Sequence, residues 1–122
     1  MSEVPPRLPG VSSLAPEDNK LVVLAKAARA RTGATEGAAL RDLDGRTYAG
    51  ATVDLPSLAV SAVGVVVSMA VASGARGAEA VVVLTGGDVA PGDLDIVRDF
   101  AGSGVVVHSG TPAGQIEDTR AT

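Results

Sequence analysis

Residues 55 to 75 read Leu-Pro-Ser-Leu-Ala-Val-Ser-Ala-Val-Gly-Val-Val-Val-Ser-Met-Ala-Val-Ala-Ser-Gly-Ala, an uncharged run of 21 residues between Asp54 and Arg76. How this run folds decides the architecture. Its length matches a membrane-spanning helix. Pro56, Ser57, Ser61, Gly64, Ser68, Ser73 and Gly74 dilute it, however, and a basic anchor flanks it only at Arg76. The β-branched residues Val60, Val63, Val65, Val66, Val67 and Val71 would also suit strands. A single strand of that length is outside the usual range, so the run is expected to be a buried helix from Ser57, as its cap, to Ser73, ending near Gly74.

Working outward, Pro16-Glu17-Asp18 has the character of a first helical turn, with proline where no donor is needed and acids at the positive end of the dipole. Leu21, Val22, Leu24, Ala25 and Ala28 continue an apolar face to about Arg31, and Gly33 stops it. Ala38 to Leu40 begins a strand, Asp44-Gly45 is a hairpin turn, and Arg46 to Val53 returns. Ala80 to Leu84 is a continuous apolar run, the pattern of a strand covered on both faces. Asp93 to Ala101 predicts a short helix with Leu94, Val97 and Phe100 inward, and Val105 to Val107 a last strand. The expected order is α-β-β-α-β-α-β. Residues 1–16, with Pro5, Pro6, Pro9 and Pro16, and residues 109–122 are expected to be flexible tails around a domain at 17–108.

Composition narrows the chemistry. The 122 residues include no cysteine, no tryptophan, one histidine, one tyrosine and one phenylalanine, with 10 basic and 14 acidic side chains for a net charge of −4. Thiolate nucleophiles, disulfides, iron–sulfur clusters and cysteine-ligated zinc are excluded. Net acidity and the lack of aromatics argue against a nucleic-acid partner, which needs a basic stripe or stacking platform. No secretory signal is expected, since the first 20 residues hold no apolar run, and the chain reads as cytoplasmic without a membrane segment.

Gly37-Ala38-Ala39-Leu40, Asp44-Gly45-Arg46, Tyr48-Ala49-Gly50 and Thr52-Val53-Asp54, followed by Pro91 through Asp99-Phe100, resemble in order and spacing the cytidine deaminase family. The resemblance spans roughly residues 17 to 108. It implies a three-layer α/β fold, a mixed sheet of four to five strands around a buried central helix. It places Thr52 and Asp54 where the family has an Asn and a Glu that hold a nucleoside ribose.

The resemblance also shows what is missing. The family opens its central helix with a His or Cys ligand and an Ala-Glu pair whose glutamate moves protons. The matching register here is Ser61-Ala62-Val63, or Val63-Gly64-Val65 two residues on. Pro91 is followed by Gly92-Asp93 instead of the family's cysteines, in a segment about two residues short, and Ala34 stands near the position of the family's stacking Phe. The implied protein is therefore non-catalytic and without a zinc cofactor, with no metal-site residues. It is a binding or assembly module that forms a homo-oligomer, dimer or tetramer, and takes a nucleoside-like small molecule. The alternative is a divergent cytidine or nucleoside deaminase, or a nucleoside-processing enzyme, with a non-standard site.

Other candidates are weaker. Asp93, Asp95 and His108 include legitimate metal ligands, yet they are also what a helix start and a strand end would carry. Ser61 lacks a neighbouring base in sequence and is expected to bond back to a helix carbonyl. Thr85-Gly86-Gly87-Asp88 offers backbone amides after a buried strand but no basic residue to hold a phosphate. Lys20, Lys26, Arg29 and Arg31 are expected on a solvated helix face.

Overall fold

The computed structural model describes residues 14–122. The elements run α1 (Pro16–Thr32), β1 (Gly37–Asp42), β2 (Thr47–Ala51), β3 (Val53–Leu55), β4 (Leu58–Val60), α2 (Ala62–Ala72), β5 (Ala78–Leu84), α3 (Pro91–Ala101), β6 (Val106–Gly110) and β7 (Ile116–Ala121). Five strands form one mixed sheet in the order β2-β1-β5-β6-β7, in which only the β5–β6 pair is parallel. Helix α3 supplies the crossover that a parallel pair requires.

Period-two alternation sorts the sheet side chains into two layers. Ala39, Ala80, Val82 and Leu84 pack under Leu21 and Ala25 of α1. Ala38, Leu40, Tyr48, Val81, Val83 and Val107 face the other way, against Val63, Val66, Val67 and Ala70 of α2 and Val97 of α3. Leu94 and Phe100 pack at the margin of that second cluster, as the apolar spacing of α3 predicts. Small side chains let the layers approach closely: a Cβ on Gly50 would lie 2.7 Å from Val65 Cγ1. The three-layer α/β architecture expected from the sequence is the one observed.

The uncharged run does not fold as one helix from Ser57. Leu55-Pro56-Ser57-Leu58 is a tight turn that joins β3 to β4, with Leu55 opposite Leu58 and Val53 opposite Val60. Proline and serine favour that turn, and the flanking β-branched residues continue it as a hairpin. Ser61, not Ser57, caps α2, its Oγ accepting from Gly64 N–H at 3.0 Å. The helix is also not covered on every side, because Ser68, Met69, Val71 and Ala72 are exposed.

The C-terminal stretch is also no tail. His108 to Gly110 belong to β6, and after a turn with Gly114 at φ +98 the chain returns as β7, with Ile116 opposite Gly110, a register shift at Glu117, and then Asp118 opposite Ser109 through Ala121 opposite Val106. The domain thus extends past 108 to the end of the chain. The charged residues Glu117, Asp118 and Arg120 hid this strand in the sequence, because an edge strand needs only one apolar contact and benefits from charge. The proposed N-terminal tail, residues 1–16, falls outside the described residues except for Leu14 to Pro16, and Pro16 already begins α1.

Candidate functional site

The N-terminal ends of α2 and α3 meet, and the meeting point is the candidate site. Ser61 Oγ donates to Asp93 Oδ1 at 2.7 Å across 32 residues of sequence while accepting from Gly64 N–H. Asp93 does not cap α3: Ala90 is the cap residue, with no side-chain bond, and Asp93 sits in the first turn at 7% exposure. Burial pushes the Asp93 carboxyl above its ordinary pKa, and the nearby Glu36 carboxylate adds to this, while the Ser61 hydrogen bond pulls the other way.

Glu36 precedes β1 and reaches over the same end of α2. Its Oε1 accepts from Ala62 N–H at 3.4 Å, and its backbone N–H donates to Thr52 Oγ1 at 3.1 Å. The site therefore holds two carboxylates, two hydroxyls and the amides of a helix start. A negative charge on Glu36 is favourable there, facing the positive end of the helix dipole.

Thr52 and Asp54 take different places. The Thr52 hydroxyl is engaged by Glu36, and Thr52 N–H donates to Glu36 O at 3.1 Å. Asp54 is exposed on β3, opposite Ala59. Ser61 bonds to a carboxylate across the domain, not back to a helix carbonyl. Sequence reasoning missed Glu36 entirely; a single acidic residue before a glycine-led strand carries no periodic signal.

Asp93, Asp95 and His108 are not brought together. Asp95 is exposed and pairs with Arg98 at 2.7 Å. His108 is buried on the α1 side of the sheet, its Nε2 2.8 Å from Asp18 Oδ2 and its Nδ1 2.8 Å from Thr119 Oγ1. Asp18 also accepts from Arg41 Nη2 at 2.9 Å, and Arg41 Nε donates to Glu79 at 2.8 Å. Desolvation raises the Asp18 pKa, but hydrogen bonds from His108 and Arg41 outweigh it and leave the carboxyl below its ordinary value. The Thr85 to Asp88 loop is tied at Thr85 N–H to Gly110 O, with Gly86 and Gly87 exposed. Lys20, Lys26 and Arg31 are exposed, as a solvated helix face requires, whereas Arg29 is half-buried against Gly37.

A model of the cytidine deaminase-like family matches residues 14–114, and the chain belongs to that family. Solved structures agree. Cytidine deaminase from Mycobacterium leprae superposes with TM-score 0.67 at 23% identity, covering 84% of this chain and 91% of that one. Cytidine deaminase from Burkholderia pseudomallei gives TM-score 0.67 at 26% identity over 84% and 89% of the two chains. The Mycobacterium tuberculosis enzyme gives 0.64 at 24% identity over 73% and 81%. No curated protein sequence matches this chain.

The residues present do not fit the zinc ion of this family. The resemblance puts the first ligand at Ser61, whose hydroxyl is already bonded to Asp93, or at Val63 in the register two residues on, and the sequence has no cysteine for the second motif. Two carboxylates and neutral hydroxyls, with no imidazole or thiolate among them, do not make up the donor set of a tetrahedral zinc site of this kind. The resemblance puts Val63, or Val65 in the second register, in place of the proton-carrying glutamate, and Val63 is 1% exposed within the apolar core.

Proposed function

We propose that this chain is a non-catalytic, zinc-free member of the cytidine deaminase-like family that works as a cytoplasmic binding or assembly module. The observation that carries this reading is the Ser61–Asp93 hydrogen bond: the two helix starts that bear metal ligands in the family are here closed onto each other at 2.7 Å. Hydrolytic deamination needs an activated water and a carboxylate that carries protons to the leaving ammonia. Val63 supplies no proton transfer, and Ser61 supplies no metal.

A nucleoside-like ligand approaching this region meets the exposed Asp54 carboxylate, which suits sugar hydroxyls. It reaches the Thr52 hydroxyl only by displacing Glu36. Assembly is supported by the open face of α2, a groove of about 530 Å3 lined by Val60, Gly64, Val67, Ser68, Val71 and Ile96 without one charged residue. Apolar surface of this kind is normally removed from water by a partner, here a second copy.

The test is incubation of pure protein with cytidine and deoxycytidine, followed by ultraviolet absorbance, beside calorimetric titration of both nucleosides. Heat without turnover is the expected result, and turnover that survives chelation overturns the reading. The alternative, a deaminase or nucleoside-processing enzyme with a non-standard site, is favoured by one observation only. Glu36 and Asp93 are a carboxylate pair in which Asp93 is shifted toward the protonated form, the arrangement of an acid with a base. Under that alternative, Asp93→Asn abolishes turnover.

A further inference from the structure

A second cluster of reactive side chains lies on the α1 side of the sheet, across it from α2 and α3. His108 is 5% exposed on β6 beside Val82, and Thr119 stands directly opposite it on the edge strand β7. The imidazole spans two partners: Nε2 lies 2.8 Å from Asp18 Oδ2, and Nδ1 lies 2.8 Å from Thr119 Oγ1. A carboxylate, an imidazole and a hydroxyl thus follow one another in hydrogen-bond sequence, and the residue that carries the hydroxyl is the exposed end.

The protons along this sequence can be placed. Asp18 also accepts from Arg41 Nη2 at 2.9 Å, and Glu79 holds Arg41 at 2.8 Å. With its carboxyl below the ordinary value, Asp18 is ionised at neutral pH and can only accept. In the neutral imidazole, Nε2 therefore carries the hydrogen and Nδ1 offers a lone pair, to which the Thr119 hydroxyl donates. A hydroxyl bonded to a base whose other nitrogen is oriented by a carboxylate is the arrangement that activates alcohols toward acyl carbon.

We infer that Thr119 is a nucleophile for acyl transfer, with His108 as its base and Asp18 as a positioning residue, and that it takes short acyl groups from activated esters. Thr119 Oγ1 bonds to the acyl carbon as its proton passes to His108 Nδ1. The bond from that carbon to the leaving oxygen then breaks, and this oxygen takes the proton from Nδ1. The products are an ester at Thr119 and a free phenol or alcohol. Water adds to the same carbon with Nδ1 taking its proton and returning it to Thr119 Oγ1, which releases the carboxylic acid and restores the hydroxyl. An exposed strand position grips little of a donor, so the donor brings its own good leaving group, as an aryl ester does. This activity is separate from deamination and stands whether or not the Ser61–Asp93 region binds a nucleoside.

Reaction of the native chain with p-nitrophenyl acetate tests it. Release of p-nitrophenol is expected, with an acetyl group mapped to Thr119 in acid-quenched samples and removed by hydroxylamine under conditions that cleave esters and spare lysine amides. Thr119→Ser is expected to keep the reaction. Thr119→Val, a change of similar shape at an exposed position, is expected to abolish it with the melting temperature little changed. Asp18→Asn reads the positioning role. Arg41 holds the amide oxygen, the NH2 faces Nε2, and the imidazole hydrogen moves to Nδ1, which can then no longer accept from Thr119. Acylation should slow by at least about tenfold, and the nitrogen-15 shifts of His108 should report the changed tautomer. Acetyl groups on lysine amines alone, or Thr119 acylated as fast in folded Asp18→Asn as in the parent, overturn the inference. If Asp18→Asn does not fold, the Thr119→Val and Thr119→Ser pair decides: equal phenol release by parent and Thr119→Val refutes the assignment.

Discussion

Ser61 and Asp93 lie 32 residues apart in sequence, and their side chains meet at 2.7 Å, joining the cap of α2 to the first turn of α3. The pair does two things at once: it satisfies a buried carboxyl, and its serine accepts from Gly64 N–H in the first turn of α2.

Ser61→Ala is expected to destabilise the domain by about 1 kcal/mol for the lost cap. A further ~1–3 kcal/mol follows from leaving Asp93 buried without its donor. Urea denaturation of Ser61→Ala, Asp93→Ala and the double variant checks this. The double variant should lose less than the sum of the two, and strict additivity would show that the pair does not interact.

The pH dependence follows from carboxyls shifted in opposite directions. Asp93 is raised in the folded state, so the folded chain holds its proton more tightly than the unfolded chain. Its contribution is most favourable below the ordinary Asp value near ~3.9 and is lost as pH rises through the higher folded value. Asp93→Asn should therefore gain stability relative to the parent as pH rises from 4 to 7. A difference that stays constant over that range would contradict the shift.

Asp18 is lowered, so its contribution is present above the ordinary carboxylate value and is lost as pH falls through its lower folded value. Asp18→Asn is expected to cost ~1–3 kcal/mol at neutral pH, where charge-assisted bonds to His108 and Arg41 are weakened, and progressively less in acid. Thermal melts of parent and variant from pH 2 to pH 7 should converge at the acid end.

Purified protein should carry no stoichiometric zinc after preparation in metal-free buffer, because Ser61, Asp93 and Glu36 bring no imidazole or thiolate to the site. Elemental analysis decides the matter, and one tightly held equivalent per chain would refute the zinc-free reading.

On the α2 face, Ser68→Arg should lower the assembled mass in light scattering, and Lys26→Ala should not. Gly64→Leu is a poorer probe of the same face. A Cβ there would lie 2.7 Å from Val60 Cγ1 of the same chain, so that substitution disturbs the monomer as well.

The layers of the fold were legible because they depend on local pattern. Ala80 to Leu84, Asp44-Gly45 and the apolar spacing of Leu94, Val97 and Phe100 each state an element in a few adjacent residues. The β3–β4 hairpin was hidden because valine suits both helix core and strand, leaving Pro56-Ser57 as the only mark of the turn. Strand β7 was hidden because its charges belong to an edge. Of the site, the reading of residues 57–73 as one helix puts Ser61 inside it and not at its cap, and the sequence suggests Asp93 as a cap where Ala90 stands. Neither their contact nor the reach of Glu36 has a local signature, since each is made by the tertiary fold.

The clasp around His108 bears on how the chain acquires its shape. Its Nε2 meets Asp18, 90 residues earlier, and its Nδ1 meets Thr119 on the final strand. Synthesis makes α1 before β6 and β7, so the first helix stays unclasped until His108 and Thr119 have followed it. Contacts of such long sequence separation slow folding, because loop closure must precede them. The clasp therefore closes late relative to α1, and loss of Thr119 from β7 would be felt through His108 at Asp18 on that helix.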